Sequence, residues 1–139
     1  MDSPPRPLRL LLALAITVAL GIASRLAHTG SFLIDKTLGV VLYAVAVHFT
    51  LALFLRRTSP RRVALLSLIV CWAIELFQAT GIPARHAELA VVRWLVGTTF
   101  SWHDVACYPL GVAVAFLASQ TDPITSFASS ARDDTQHFL

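Results

Sequence analysis

Residues 63–82 read VALLSLIVCWAIELFQATGI. The run is apolar over a length that can cross a bilayer, for which roughly 17–25 mostly apolar residues suffice. Yet it carries a carboxylate and an amide, Glu75 and Gln78, three residues apart and therefore on one face of a helix. Ser67, Cys71, Glu75 and Gln78 fall in one narrow arc, flanked by Leu65, Leu66, Ile69, Trp72, Leu76 and Phe77. A charge at membrane depth costs about 2.5–3.5 kcal/mol even on insertion scales. The arc is therefore expected to face inward in a helical bundle, where Glu75 meets a partner.

Composition agrees. The chain has 139 residues, enough for one domain; 56% are hydrophobic and 14% charged, against roughly 25% charged in ordinary soluble domains. Too few polar side chains remain to cover a soluble surface, so the expected class is an all-α integral membrane protein. The net charge of +3 does not call for nucleic acid, because most arginines sit beside apolar runs, where they set topology. Cys71 and Cys107 lie inside apolar runs with no CxxC or CxxH spacing, and read as small apolar filler. No HExxH, GxSxG or DxD motif occurs, and no nucleophile–base pair is expected at helical spacing. Catalytic residues, metal ligands and cofactors are accordingly assigned as none.

Working outward, four spans are expected: Leu8–Ala23, Leu38–Leu55, Val63–Ile82 and Asp104–Ser119. The first is longer than the core of a signal peptide and is preferred as an uncleaved span. Ala15, Ala19 and Ala23 make a small-residue stripe on it, and Gly111, Ala115 and Ser119 make another on the fourth; such stripes let helices approach closely. On the second span, Lys36, Gly39, Tyr43, Ala46 and Thr50 share a face, and His48 points nearly opposite as a partnered or interfacial histidine. Ser24–Thr37 is read as a loop. Leu89–Phe100 is apolar but too short to cross, and is expected as a short re-entrant or interfacial helix between the third and fourth spans. Residues 1–7 form a short tail, 8–120 the four-helix membrane domain, and 121–139 a polar, disordered tail.

Arg56-Arg57-Thr58-Ser59-Pro60-Arg61-Arg62 is the strongest topology signal, and places that turn and both termini in the cytoplasm. The Arg25–Lys36 loop, the end of the third span and the Arg85–Asp104 connection then meet at the outer face. Arg93, Arg25 and Lys36, in that order, are the expected partners of Glu75. The expected pocket comprises Arg25, Lys36, Tyr43, Glu75, Gln78, Arg93, Trp102, Asp104 and Tyr108.

The blocks Gly21-x-x-Ser24-Arg25, Lys36-x-x-Gly39, Glu75-x-x-Gln78, Arg93 and Phe100-x-Trp102-x-Asp104-x-x-x-Tyr108-x-x-Gly111 resemble the bacterial domain-of-unknown-function 2809 family (DUF2809). The layout is also similar to that of VanZ-like proteins, which are linked to teicoplanin resistance. The resemblance runs from Leu8 to Ser119. It implies a bacterial inner-membrane protein of four spans and no known reaction. One departure is Val40, where the family tends to carry an acid; Asp35 is the acid at hand to replace it.

The favoured role is recognition of a lipid headgroup or a glycopeptide-like envelope ligand, with Arg25, Lys36 and Arg93 meeting phosphate or carboxylate. Trp94 and Trp102 would anchor at headgroup level. The bilayer is the expected partner and nucleic acid is not; the sequence leaves the oligomeric state open. Two readings compete: a membrane-embedded enzyme on a lipid-linked substrate, with Glu75 or Asp104 as general base, and a small proton-coupled transporter working through Glu75.

Overall fold

A computed structural model describes residues 5–26 and 30–120, with Phe32 described by its backbone alone. The expectation of a disordered segment at 121–139 lies outside the described residues. Among those residues the fold is all-α: α1 (Arg6–Leu26), α2 (Phe32–Phe54), α3 (Pro60–Ala79), a short α4 (Ile82–Arg85), a π-helical turn over Val92–Val96, and α5 (Trp102–Gln120). Helix α2 is the hub. It packs against α1, α3 and α5, and α3 packs against α5.

The bundle buries a strip of polar residues beside its apolar core and leaves many large apolar side chains outside. Helix α3 buries Val63, Ser67, Cys71, Glu75 and Gln78, the polar arc, and exposes Leu65, Ile69, Leu76 and Phe77. Water would reverse that choice, whereas hydrocarbon costs an exposed leucine nothing. Three helices, α1, α2 and α3, are long and apolar enough to cross a membrane. Four were expected. Helix α5 is 19 residues long but opens with Trp102, His103 and Asp104, which dilute its apolar content.

Other boundaries also move. The expected loop over Ser24–Thr37 is much shorter, because α1 runs to Leu26 and α2 begins at Phe32. Ser31 stands extended at the N-cap position, and Asp35 sits in the first turn, where a carboxylate complements the helix dipole. Helix α3 stops at Ala79 rather than Ile82, because Gly81 takes a left-handed conformation (φ 73°). Over Leu89–Phe100 the regular structure is the π-turn, closed by the Gly97 N–H donating to the Val92 carbonyl at 2.8 Å.

The two small-residue stripes part company. Gly111 and Ala115 are buried against α2, as expected. A Cβ on Gly111 would lie 2.6 Å from the Val41 carbonyl oxygen and 2.7 Å from the Ala44 Cβ. Ala15, Ala19 and Ala23 instead all face outward, because α1 turns Leu10 and Thr17 toward the bundle. His48, 1% exposed, is partnered as expected: Ser67 Oγ lies 3.3 Å from its Nδ1 and donates its own proton to the Val63 carbonyl at 2.7 Å.

The contact at Gly111 sets a test. Gly111→Ala should lower stability in detergent by about 1–3 kcal/mol through overpacking. Gly21→Ala, with nothing within 4 Å of the added methyl, should raise it by about 0.5–1 kcal/mol through helix propensity. Thermal unfolding of the two variants checks the opposite signs.

Candidate functional site

Glu75 lies near the C-terminal end of α3 and is 1% exposed. Its Oε1 accepts the Tyr108 hydroxyl of α5 at 2.8 Å, and its Oε2 accepts the Ser101 backbone N–H at 3.1 Å. Among the described residues no cation pairs with it, so Arg93, Arg25 and Lys36 are not its partners. The segment before α5 folds back over the end of α3 and delivers a backbone N–H that no side-chain pattern advertises. Charge-assisted hydrogen bonds of this kind are roughly twice as strong as neutral ones.

Lys36 serves a neighbouring acid. Its Nζ lies 3.3 Å from Asp104 Oδ1 and donates to Ser101 Oγ at 2.8 Å. Ser101 therefore links the lysine, through its hydroxyl, to Glu75, through its N–H. Three further ties hold the same connection. Tyr43 Oη donates to the Leu95 carbonyl at 2.8 Å. Gln78 Nε2 donates to the Val96 carbonyl. The Arg25 guanidinium lies 5.2 Å from the centre of the Trp94 ring, within cation–π range. All three main helices and α5 thus converge on residues 94–101.

These ties enclose a cavity of about 410 Å³. Seven of the nine expected residues line it: Arg25, Lys36, Tyr43, Gln78, Arg93, Asp104 and Tyr108. Glu75 lies behind the wall, joined through Tyr108. Trp102 does not take part; it is 78% exposed and packs edge-on against Phe100, with centroids 5.1 Å apart. The expected set omits Asp35, Val40 and Trp94, which also line the cavity. Val40 could have been found from Lys36, Gly39 and Tyr43, its neighbours on one helical face. Val40 and Asp35 therefore both border the cavity.

His103 and Cys107 are four residues apart on α5, with Cys107 Sγ 3.5 Å from His103 Nε2. This cysteine–histidine contact escaped the sequence reading although i, i+4 is the spacing of helical neighbours. Thr37 gives its proton to the Leu33 carbonyl at 2.6 Å and lies 3.0 Å from the same nitrogen. Neither His103 nor Cys107 lines the cavity. Among the described residues no three His, Cys, Asp or Glu side chains gather as a metal site. At the opposite end of the bundle, Arg6 and Arg9 border a smaller hollow of about 240 Å³ with Phe49 and Ser119.

Gly97 is the backbone keystone of the cavity. It adopts φ 80°, ψ 169°, a region open essentially to glycine alone and worth about 1–3 kcal/mol of strain for other residues. A Cβ there would stand 2.7 Å from Gln78 Nε2. Gly97→Ala should therefore lower the melting temperature. The loss should shrink in a Gln78→Ala background, where the colliding amide is gone. Equal losses in the two backgrounds would contradict the contact.

Comparison with known proteins gives one family. No curated protein and no solved structure matches the chain. The family described as a protein of unknown function (DUF2809) matches residues 29–112, more than half of the chain. The matched region holds α2, α3, the connection that roofs the cavity, and the first half of α5; the Gly21-x-x-Ser24-Arg25 block falls outside it. With the residues from Lys36 to Gly111 inside the match, the chain belongs to the DUF2809 family.

Proposed function

We propose that the chain is a multi-pass membrane protein whose cavity recognises the headgroup end of a lipid or a glycopeptide-like envelope molecule, in the manner suggested by the VanZ-like layout. The observation that carries the reading is the polar arc of α3. It is buried in a bundle whose outer surface is leucine and isoleucine, and it ends at a cavity bordered by Arg25, Lys36 and Arg93. Arg93 is exposed and Arg25 lies over Trp94, so both guanidinium groups are placed to meet phosphate or carboxylate.

In this reading α5 is the fourth span. Its exposed side is Leu110, Val114 and Leu117, and its polar first turn sits at the headgroup level, with Trp102 as an anchor. Residues 82–100 lie in the interface or dip into it, supported by exposed Ile82, Leu89, Val91, Trp94 and Leu95. The Arg56–Arg62 turn and both termini are cytoplasmic, and the cavity opens to the outer side of a bacterial inner membrane. The transporter reading, and the enzyme reading with Glu75 as base, gain no comparable support, because both oxygens of Glu75 are already engaged by Tyr108 and Ser101.

Single cysteines at Ser31, Ser59 and Thr98, in a background with Cys71→Ala and Cys107→Ala, test the topology in intact cells with a membrane-impermeant maleimide. Positions 31 and 98 should label and 59 should not. The reverse pattern would turn the cavity to the cytoplasm and remove envelope ligands from consideration.

A further inference from the structure

The two ends of the bundle differ in charge. Among the described residues the acids are Asp35, Glu75, Glu88 and Asp104, and all belong to the end that holds the large cavity. The other end gathers the start of α1, the turn between α2 and α3, and the end of α5. It carries Arg6, Arg9, Arg56, Arg57, Arg61 and Arg62. Leu10 of α1 shares one apolar cluster with Phe49 and Ala52 of α2 and Val63 of α3, so these segments meet. Helices α1 and α3 have no acid in the first turn, where a carboxylate would complement the helix dipole. Arginines stand there instead. Such a cluster at the end of an apolar bundle favours an anionic lipid surface.

One hollow at this end suits part of a lipid molecule. Arg6, Arg9, Leu10 and Ala13 follow one another at helical spacing on one face of α1 and border it. Helices α1 and α5 both pack on α2, and Phe49 of α2 and Ser119 of α5 complete the lining. The volume is about 240 Å³, below the roughly 300–1,000 Å³ of sites that enclose a whole small molecule. The hollow therefore fits one end of a ligand whose remainder lies outside. The surface outside is apolar: Leu12 and Ile16 of α1 and Val114 and Leu117 of α5 are exposed. Arg6 is exposed as well. A guanidinium presents five N–H donors in a planar fork, so Arg9 can take a phosphate oxygen beside its other contacts.

We propose that this hollow holds one anionic phospholipid, its phosphodiester on Arg6 and Arg9 and its acyl chains along the outer faces of α1 and α5. The site is separate from the large cavity, and its ligand does not depend on the binding role proposed above. A zwitterionic lipid brings an ammonium to the same arginines and is disfavoured. Inorganic phosphate lacks the chains and competes poorly.

Native mass spectrometry of the full chain in detergent, titrated with phosphatidylglycerol or phosphatidylethanolamine, tests the proposal. An Arg25→Gln, Arg93→Gln background keeps binding in the large cavity out of the comparison. Phosphatidylglycerol should bind more tightly than phosphatidylethanolamine. Arg6→Gln should weaken it about fivefold, the effect of one arginine beside an anionic lipid. Ala13→Phe, which fills the hollow without changing charge, should abolish it. Arg57→Gln and Arg62→Gln, which lie outside the lining, should leave it unchanged. Should the background not fold, Ala13→Phe and Arg57→Gln on the wild-type chain make the same comparison. Equal losses from Arg6→Gln, Arg57→Gln and Arg62→Gln, with none from Ala13→Phe, would show diffuse surface attraction and overturn the site. So would equal affinity for the two lipids, or displacement of phosphatidylglycerol by millimolar inorganic phosphate. Each of these results leaves the role of the large cavity standing, because its arginines are absent from the background.

Discussion

One carboxylate in a low-dielectric interior constrains this chain. Glu75 cannot face hydrocarbon, and a carboxyl group buried among leucines calls for partners on both oxygens. Its position on α3 therefore decides which face of α3 turns inward. It also decides that a donor must come from α5, and that the chain between α3 and α5 must return over the helix end. Tyr108 and the Ser101 N–H meet those demands. Ser101 then carries the constraint onward, since its hydroxyl takes the lysine that pairs with Asp104. The cavity is what remains between α2, α3, α5 and the returning segment once these bonds are made.

The parts of the fold that rest on periodicity were legible in the sequence. The arc Ser67, Cys71, Glu75 and Gln78 is the buried face of α3, because its 3.6-residue period survives any detail of tertiary structure. His48 as a partnered histidine and Gly111 as a close-approach glycine were legible for the same reason. The partners of Glu75 were not. Counting charges points to arginine or lysine, whereas the structure uses a hydroxyl and a backbone amide. A backbone donor has no sequence signature, and a tyrosine in an apolar run reads first as packing. The outward turn of Ala15, Ala19 and Ala23 was equally hidden. A small-residue stripe states which face can approach a neighbour, not whether one lies on that side. Trp102 was assigned to the pocket by its place in a motif, and it stands exposed, outside the cavity lining.

The roof of the cavity links fold to function. It is built from short irregular pieces, a π-turn and a glycine in a conformation other residues avoid. Non-helical backbone at such a place is tolerated only where side chains or a polar cavity satisfy its carbonyls. Here Tyr43 and Gln78 take the Leu95 and Val96 carbonyls. Those same bonds leave Gln78 Oε1 buried without a protein donor. Changes that loosen the roof should alter recognition even at residues that touch no ligand.

The central claim is that the Glu75–Tyr108 bond organises this end of the bundle. A double-mutant cycle on unfolding in detergent, with Glu75→Met and Tyr108→Phe, measures it directly. Polar contacts between membrane helices average about 0.6 kcal/mol in such cycles, and a bond to a charged group reaches about 1.5–3 kcal/mol. A coupling above about 1 kcal/mol is the result the account predicts. Additive losses would show that the two residues do not depend on one another, and the constraint from which the cavity is derived would fall.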